Sequence, residues 1–418
     1  MKSRGFTAIP GSHLLRFRVG RLLAHPYVLS AIRLLSVGLF LLILAAGFVG
    51  TGSSLKNLAP TMVWVIWWVG LAYVCALVGD FLALINPWRI LFSWGEALCR
   101  RIAKREGMTP GRPYPRWLGY WPSVLLFWVF AWFELIWHGG EEPLNIALMA
   151  AAYSVITWGG MAVFGAEEWL RRGEVFSAVF GLVARFAPME VRVSNPRIRA
   201  SCVSEDCGPH GVNGYVCWVR ADRADREWNL RPHAVGLLTR HPVQPSLMVL
   251  VLLVLSSVTF DGFLETPAWA AFLDWIASAR FPRAFLLRLQ SAGVDMLAIL
   301  KTAALVVFPV LFLGTYLICC RLMARAAAPA AEAEGSKGLA SAFVFSLVPI
   351  AIGYHLAHYL SCLLIAGQLV IPLASDPFGF GWDIFGTVNY RLRVDALNAR
   401  FVWFTALAAI LTGHIVAV

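Results

Sequence analysis

Charge is what this sequence has least of. Only 14% of its 418 residues are Asp, Glu, Lys or Arg, against 59% hydrophobic, and the mean hydropathy is +0.68. That balance excludes a soluble domain and leaves a multi-span membrane protein, in which Trp and other aromatics mark the interfaces. The formal charge of +11 does not point to nucleic acid. No basic module or RNP-like motif is present, and the Lys and Arg residues fall between apolar runs, as cytoplasmic loops require. The motif C-x-x-C-H is absent, which excludes covalently attached haem but not b-type haem. The eight cysteines form no secreted disulfide framework. Cys75, Cys319, Cys320 and Cys362 lie in apolar runs, where Cys acts as a small hydrophobe. The first 33 residues are basic and no small-residue cleavage site follows the first apolar run, so no cleavable signal peptide is expected. Nor is there an internal repeat, which argues against an inverted-repeat transporter.

Apolar runs of spanning length, or nearly so, occur at 34–51, 60–85, 121–138, 143–164, 244–260, 296–320, 343–373 and 399–418. Arg100, Arg101, Lys104 and Arg105 follow the second run, and Arg171, Arg172, Arg185 and Arg192 follow the fourth. The connection at 52–59 holds only Lys56, and 139–142 reads Gly-Gly-Glu-Glu. The positive-inside rule then places both termini in the cytoplasm. The expected fold is an all-α polytopic membrane protein of about eight transmembrane helices, with interfacial amphipathic helices and a small insert containing short strands. Its expected divisions are a basic cytoplasmic N-terminus (1–33), four spans with two interfacial helices (34–188), the cytoplasmic insert (189–242) and four final spans (243–418).

Two segments, Trp88–Arg105 and Trp169–Phe186, combine apolar residues at helical spacing with arginines, the pattern of a helix lying on the inner leaflet or packed on the bundle. The low-complexity stretch 327–337 reads as an exposed linker. Within the insert, Val191–Ser194 and Tyr215–Val219 read as strands. Cys202, Cys207, His210 and Cys217 there are chemically suited to zinc, although paired C-x2-C knuckles are missing.

The residues that stand out chemically are His355 and His358, one face of the seventh run, and His414 in the eighth. Ionisable side chains in hydrocarbon are costly and mark function. If the two helices leave the membrane near Pro372 and Arg400, His358 and His414 each sit fourteen residues in, roughly 21 Å deep. Tyr354, Tyr359 and Gln368 nearby favour a hydrated cavity. Asp261, Asp376, Asp383 and Glu134 fall at span ends. Asp376 also suits a turn before Pro377, Asp261 a helix terminus, and Asp80 a pairing with Arg89 or a helix cap. Lys301 is placed to snorkel.

Several motifs extend along nearly the whole chain: Asn57–Thr61, Asn86-Pro87-Trp88-Arg89, Tyr114-Pro115, Gly119-Tyr120-Trp121-Pro122, Arg172–Phe176, Ser257–Gly262, His355–Tyr359, Ser375–Asp383 and Gly413–Val418. Together they resemble the bacterial membrane-bound fenitrothion hydrolases. The resemblance implies a phosphotriester hydrolase acting on apolar organophosphates in the bacterial inner membrane, and a family pattern that continues past Val418. It carries over no catalytic residues.

The chemistry expected from the residues themselves is metal-assisted hydrolysis. A divalent ion, zinc or another transition metal, would be held by His355, His358 and His414, with Asp261 or Asp376 as a further ligand or the general base. A small apolar substrate would enter from the lipid bilayer. Two other classes use the same residues: a haem- or copper-binding redox subunit, and a transporter or structural subunit of a membrane complex. The shared-metal arrangement has a geometric consequence. The last two spans should pack side by side with His358 and His414 facing each other, nearest nitrogens roughly 3–3.5 Å apart. The Asp376–Asp395 loop would fold back as a lid.

Overall fold

The computed structural model describes residues 14, 18–103, 112–195, 218, 221–238, 242–279, 295–326, 335–394 and 398–418. The chain is an all-α polytopic membrane protein with a small two-stranded sheet. In chain order its main helices are α1 (Pro26–Val49), α2 (Leu58–Leu77), α3 (Pro87–Ala103), α4 (Trp121–Leu135), α5 (Pro143–Phe164), α6 (Ala166–Arg172), α7 (Val175–Ala184), α8 (Pro245–Leu264), α9 (Pro267–Ser278), α10 (Met296–Ala326), α11 (Gly338–Ser375) and α12 (Ala399–Ala417). The strands are β1 (Met189–Val193) and β2 (Arg226–Leu230). Among the described residues, seven helices are long and apolar enough to cross a membrane: α1, α2, α5, α8, α10, α11 and α12. Helices α1, α5 and α8 each begin with proline, whose fixed φ and missing N–H suit a first helical turn.

Two expected spans are shorter than their apolar runs. The run at 121–138 is helical only to Leu135. The amides of Ile136 and Trp137 both turn back to the Trp132 carbonyl, and His138–Glu141 forms a 3-10 turn. The run at 60–85 breaks after Leu77, and Asp80 accepts the Ala83 amide at 3.1 Å as the chain restarts. Within α2, residues Thr61–Gly70 take the wider π-helical form.

The chain folds into two compact units, each discontinuous in sequence. The first comprises Met1–Pro122, Glu141–Thr239 and Tyr359–Val402. Here Asn57 joins α1 to α2: its side chain accepts the Ala59 amide and donates to the Ala46 and Thr51 carbonyls. Trp88 of α3 is a hub. Its indole N–H donates to Ser154 Oγ at 2.8 Å, Trp158 donates to its carbonyl, and its ring stacks on Phe176 at 6.2 Å. The segment 169–186 departs from a helix lying on the leaflet. It breaks at Gly173, and eight residues of α7 are buried in protein, Phe180 completely. A helix apolar on nearly every side belongs in a core. By contrast α3 buries Trp88, Ile90 and Phe92 but exposes Trp94, Leu98 and Ile102, an i, i+4, i+8 stripe fit for an interface.

Strands β1 and β2 pair antiparallel from Met189↔Leu230 to Val193↔Arg226. Val191 and Val193 pack with Leu29, Trp218 and Ala221. The first expected strand is therefore present. The second, Tyr215–Val219, lies outside the described residues except for Trp218, as do Cys202, Cys207, His210 and Cys217.

The second unit comprises Ser123–Gly140, Arg240–His358 and Trp403–Val418. Its core joins Ile136, Phe260 and Leu305, from the end of α4, α8 and α10, and Trp132 donates to Thr302 Oγ1 at 2.8 Å. Helix α9, which no periodicity in the sequence announces, follows α8 after two residues.

Candidate functional site

Two polar contacts set the relation of α8 to α11. Near their beginnings the Val243 amide donates to Ser341 Oγ, and further along His358 Nε2 lies 2.8 Å from Asp261 Oδ2. The two helices therefore run parallel and in step. Both side chains of the pair are mostly covered, at 30% and 19% exposure. Asp261 lies three residues before Leu264, where α8 ends, so within this unit the pair sits about 4.5 Å from a helix terminus. Glu265 adds a second negative charge near the ring.

The hydroxyls that precede Asp261 are already committed. Ser256, Ser257 and Thr259 donate to the carbonyls of Leu253, Val254 and Leu255 on their own helix. With the ring proton on Nε2, directed at the carboxylate, Nδ1 is the acceptor nitrogen of His358. An Asp–His pair of this kind fixes the tautomer of the imidazole and stabilises its protonated form.

The close packing of α11 on α12 is set by two glycines. A Cβ on Gly353 would stand 2.7 Å from the Ala409 carbonyl oxygen, and one on Gly413 would stand 2.6 Å from that of Pro349. The helices are thus side by side and antiparallel, as expected. Their register, however, sets His414 near Pro349, roughly 14 Å along the axis from His358. His414 Nδ1 bonds the Ile410 carbonyl at 2.8 Å, and its ring meets Tyr354 edge-on at 6.1 Å. The expectation that His358 and His414 share an ion is corrected by this register. Equal residue counts from the assumed boundaries did not give equal heights. His355 stands one turn before His358, with Nε2 buried. Among the described residues no three His, Cys, Asp or Glu side chains are grouped to hold a metal ion. A third ligand beside the Asp261–His358 pair would have made such a group. The donor set therefore does not fit the expected metal centre.

Asp376 belongs to the first unit. Buried at 7% exposure, it accepts the amides of Phe380 at 2.9 Å and Gly381 at 2.6 Å, the turn role open to an acid before proline. The loop does fold back, but onto the α1–α2 connection: Thr51 and Leu58 donate to the Phe378 and Pro377 carbonyls. Asp383 accepts the Val388 amide.

Two buried acids outside the spans escaped notice as perturbed groups. Burial pushes the Asp80 carboxyl up to about 6, against the opposing Ala83 amide and Arg89 charge. Burial also raises Glu174, which caps α7 by accepting the Phe176 and Ser177 amides and the Tyr153 hydroxyl. The signal for Glu174 was its place after Gly173 and immediately before an apolar run.

No protein-family model, curated protein or solved structure matches the chain.

Proposed function

We propose that this chain is an enzyme of the bacterial cytoplasmic membrane, both termini inside, that hydrolyses apolar phosphotriesters at the Asp261–His358 pair. The observation that carries the reading is the 2.8 Å contact between His358 Nε2 and Asp261 Oδ2, joining two ionisable side chains of spanning helices, where such groups are rare unless they work. The substrate class comes from the resemblance of the motifs to fenitrothion hydrolases. Apolar triesters partition into lipid, and a site near a helix terminus receives them from the bilayer and water from its surface.

In the reaction, water attacks phosphorus as His358 Nδ1 takes its proton. The bond from phosphorus to the leaving oxygen breaks, and the imidazolium returns the proton to that oxygen. Asp261 holds the ring and stabilises its positive charge throughout. No step runs through a metal ion, because the described donors do not assemble a centre.

The test is hydrolysis of a nitrophenyl thiophosphate triester by the purified chain in lipid nanodiscs. His358→Gln and Asp261→Asn are expected to lower kcat by about 10²–10⁴-fold, the range for a general base, while His414→Gln leaves it within about twofold. A folded wild-type chain without hydrolysis would falsify the proposal.

A further inference from the structure

Among the described residues of the second unit, helix α9 is too short to span and is not enclosed by protein. Its twelve residues reach about 18 Å, well short of the roughly 30 Å hydrocarbon core. Only Glu265 and Thr266 separate it from α8, so it starts within ~11 Å of the end of a spanning helix. Thr266 Oγ1 accepts the Trp269 amide to start it, and Trp269 packs edge-on against Phe263 of α8 at 5.9 Å. The first turn is thereby held down at the end of α8.

The two faces of α9 differ. Trp269 and Ile276 are buried against the protein, at 5% and 7% exposure. On the other face Phe272 is 40% and Trp275 60% exposed, their rings stacked 6.3 Å apart. Asp274 is the helix's single ionisable residue. A face solvated by water would carry several charges, and this one carries Phe272, Trp275 and alanines beside the single exposed carboxylate of Asp274. Trp and Phe on a helix fixed at a span's end are best placed at the boundary of headgroups and acyl chains.

We propose that α9 lies flat in the bilayer interface, with Phe272 and Trp275 inserted among the lipids. The occupant of its exposed face is phospholipid, because the helix is continuous with a membrane span and tethered too closely to leave that layer. Full-length chain carrying p-benzoylphenylalanine in place of Trp275, or separately of Phe272, tests this in vesicles of phosphatidylethanolamine and phosphatidylglycerol. Both changes replace one exposed aromatic by another, so folding is preserved. On illumination, intact-mass measurement should show adducts of one phospholipid at both positions. The same probe at Val310, 62% exposed on spanning helix α10, should give the same adduct, and at buried Trp269 none. Adducts of twice the chain mass at 272 and 275 would assign the face to a second copy instead. Absence of any adduct there, with Val310 labelled, would place the face in water. Either result overturns the proposal.

Discussion

An acid's role in this protein is decided by what its oxygens already hold. Asp376 is held by two backbone amides and shapes a loop, whereas Asp261 is aimed at an imidazole. Asp80 shows the third fate, a cap that burial penalises. Its carboxyl, raised to about 6, binds a proton more tightly folded than unfolded. The stability it contributes is complete below the ordinary carboxylate range and is lost as pH rises through about 6. This group alone should therefore favour the folded wild type near pH 4 over pH 7.5, by roughly 3 kcal/mol at most. Asp80→Asn keeps an acceptor for the Ala83 amide, since Asn caps as well as Asp. It should flatten the dependence and stabilise the chain at neutral pH. Thermal unfolding in detergent across this range measures both. An unchanged slope in the variant would assign the pH dependence to other groups.

At the scale of elements, packing of α11 on α12 depends on two glycines that meet backbone rather than side chain. Gly413→Val would drive a Cβ to 2.6 Å from the Pro349 oxygen, and a carbonyl cannot swing aside as a side-chain end can. A loss of about 1–3 kcal/mol is expected, the cost of overpacking. Gly314→Ala in α10, where a Cβ would meet nothing within 4 Å, should stabilise by about 0.4–1 kcal/mol. Unfolding midpoints of the two variants should move in opposite directions.

The same scale shows what the sequence made legible. Hydropathy marked every spanning helix, because the bilayer demands apolar length and little else. It missed α9, whose apolar residues do not separate from those of a loop at a span's end. It could not give the register between helices. That is why His358 found Asp261, ninety-seven positions away, and not His414. Span boundaries read from composition err by a turn or more, and each turn displaces a side chain by about 5.4 Å. The buried place of α7 was likewise hidden, since arginines flanking an apolar run look alike on a membrane surface and at the rim of a core.

For the whole molecule, the count of crossings turns on α4. Its fifteen residues reach about 22 Å, short of the usual hydrocarbon thickness, and it is not among the seven helices that satisfy length and hydropathy together. Charge sets the expectation. The connection before α4 carries Arg100, Arg101, Arg112 and Arg116, and the one after α5 carries Arg171, Arg172, Arg185 and Arg192. On the proposed topology the positive-inside rule puts both in the cytoplasm, so an even number of crossings is expected between them. With α5 a candidate span, α4 is then expected to cross too. Local thinning of the bilayer accommodates a short helix at a modest cost, and Trp121 and Trp137 stand at its two ends to anchor it. Eight crossings would return the end of α12 to the side of the N-terminus, as the proposed topology requires. Alkaline phosphatase fused after Gly139 should be active, and fluorescent protein fused after Val418 should glow. If the phosphatase is silent and the C-terminal reporter dark, α4 does not cross and the two basic connections lie on opposite faces.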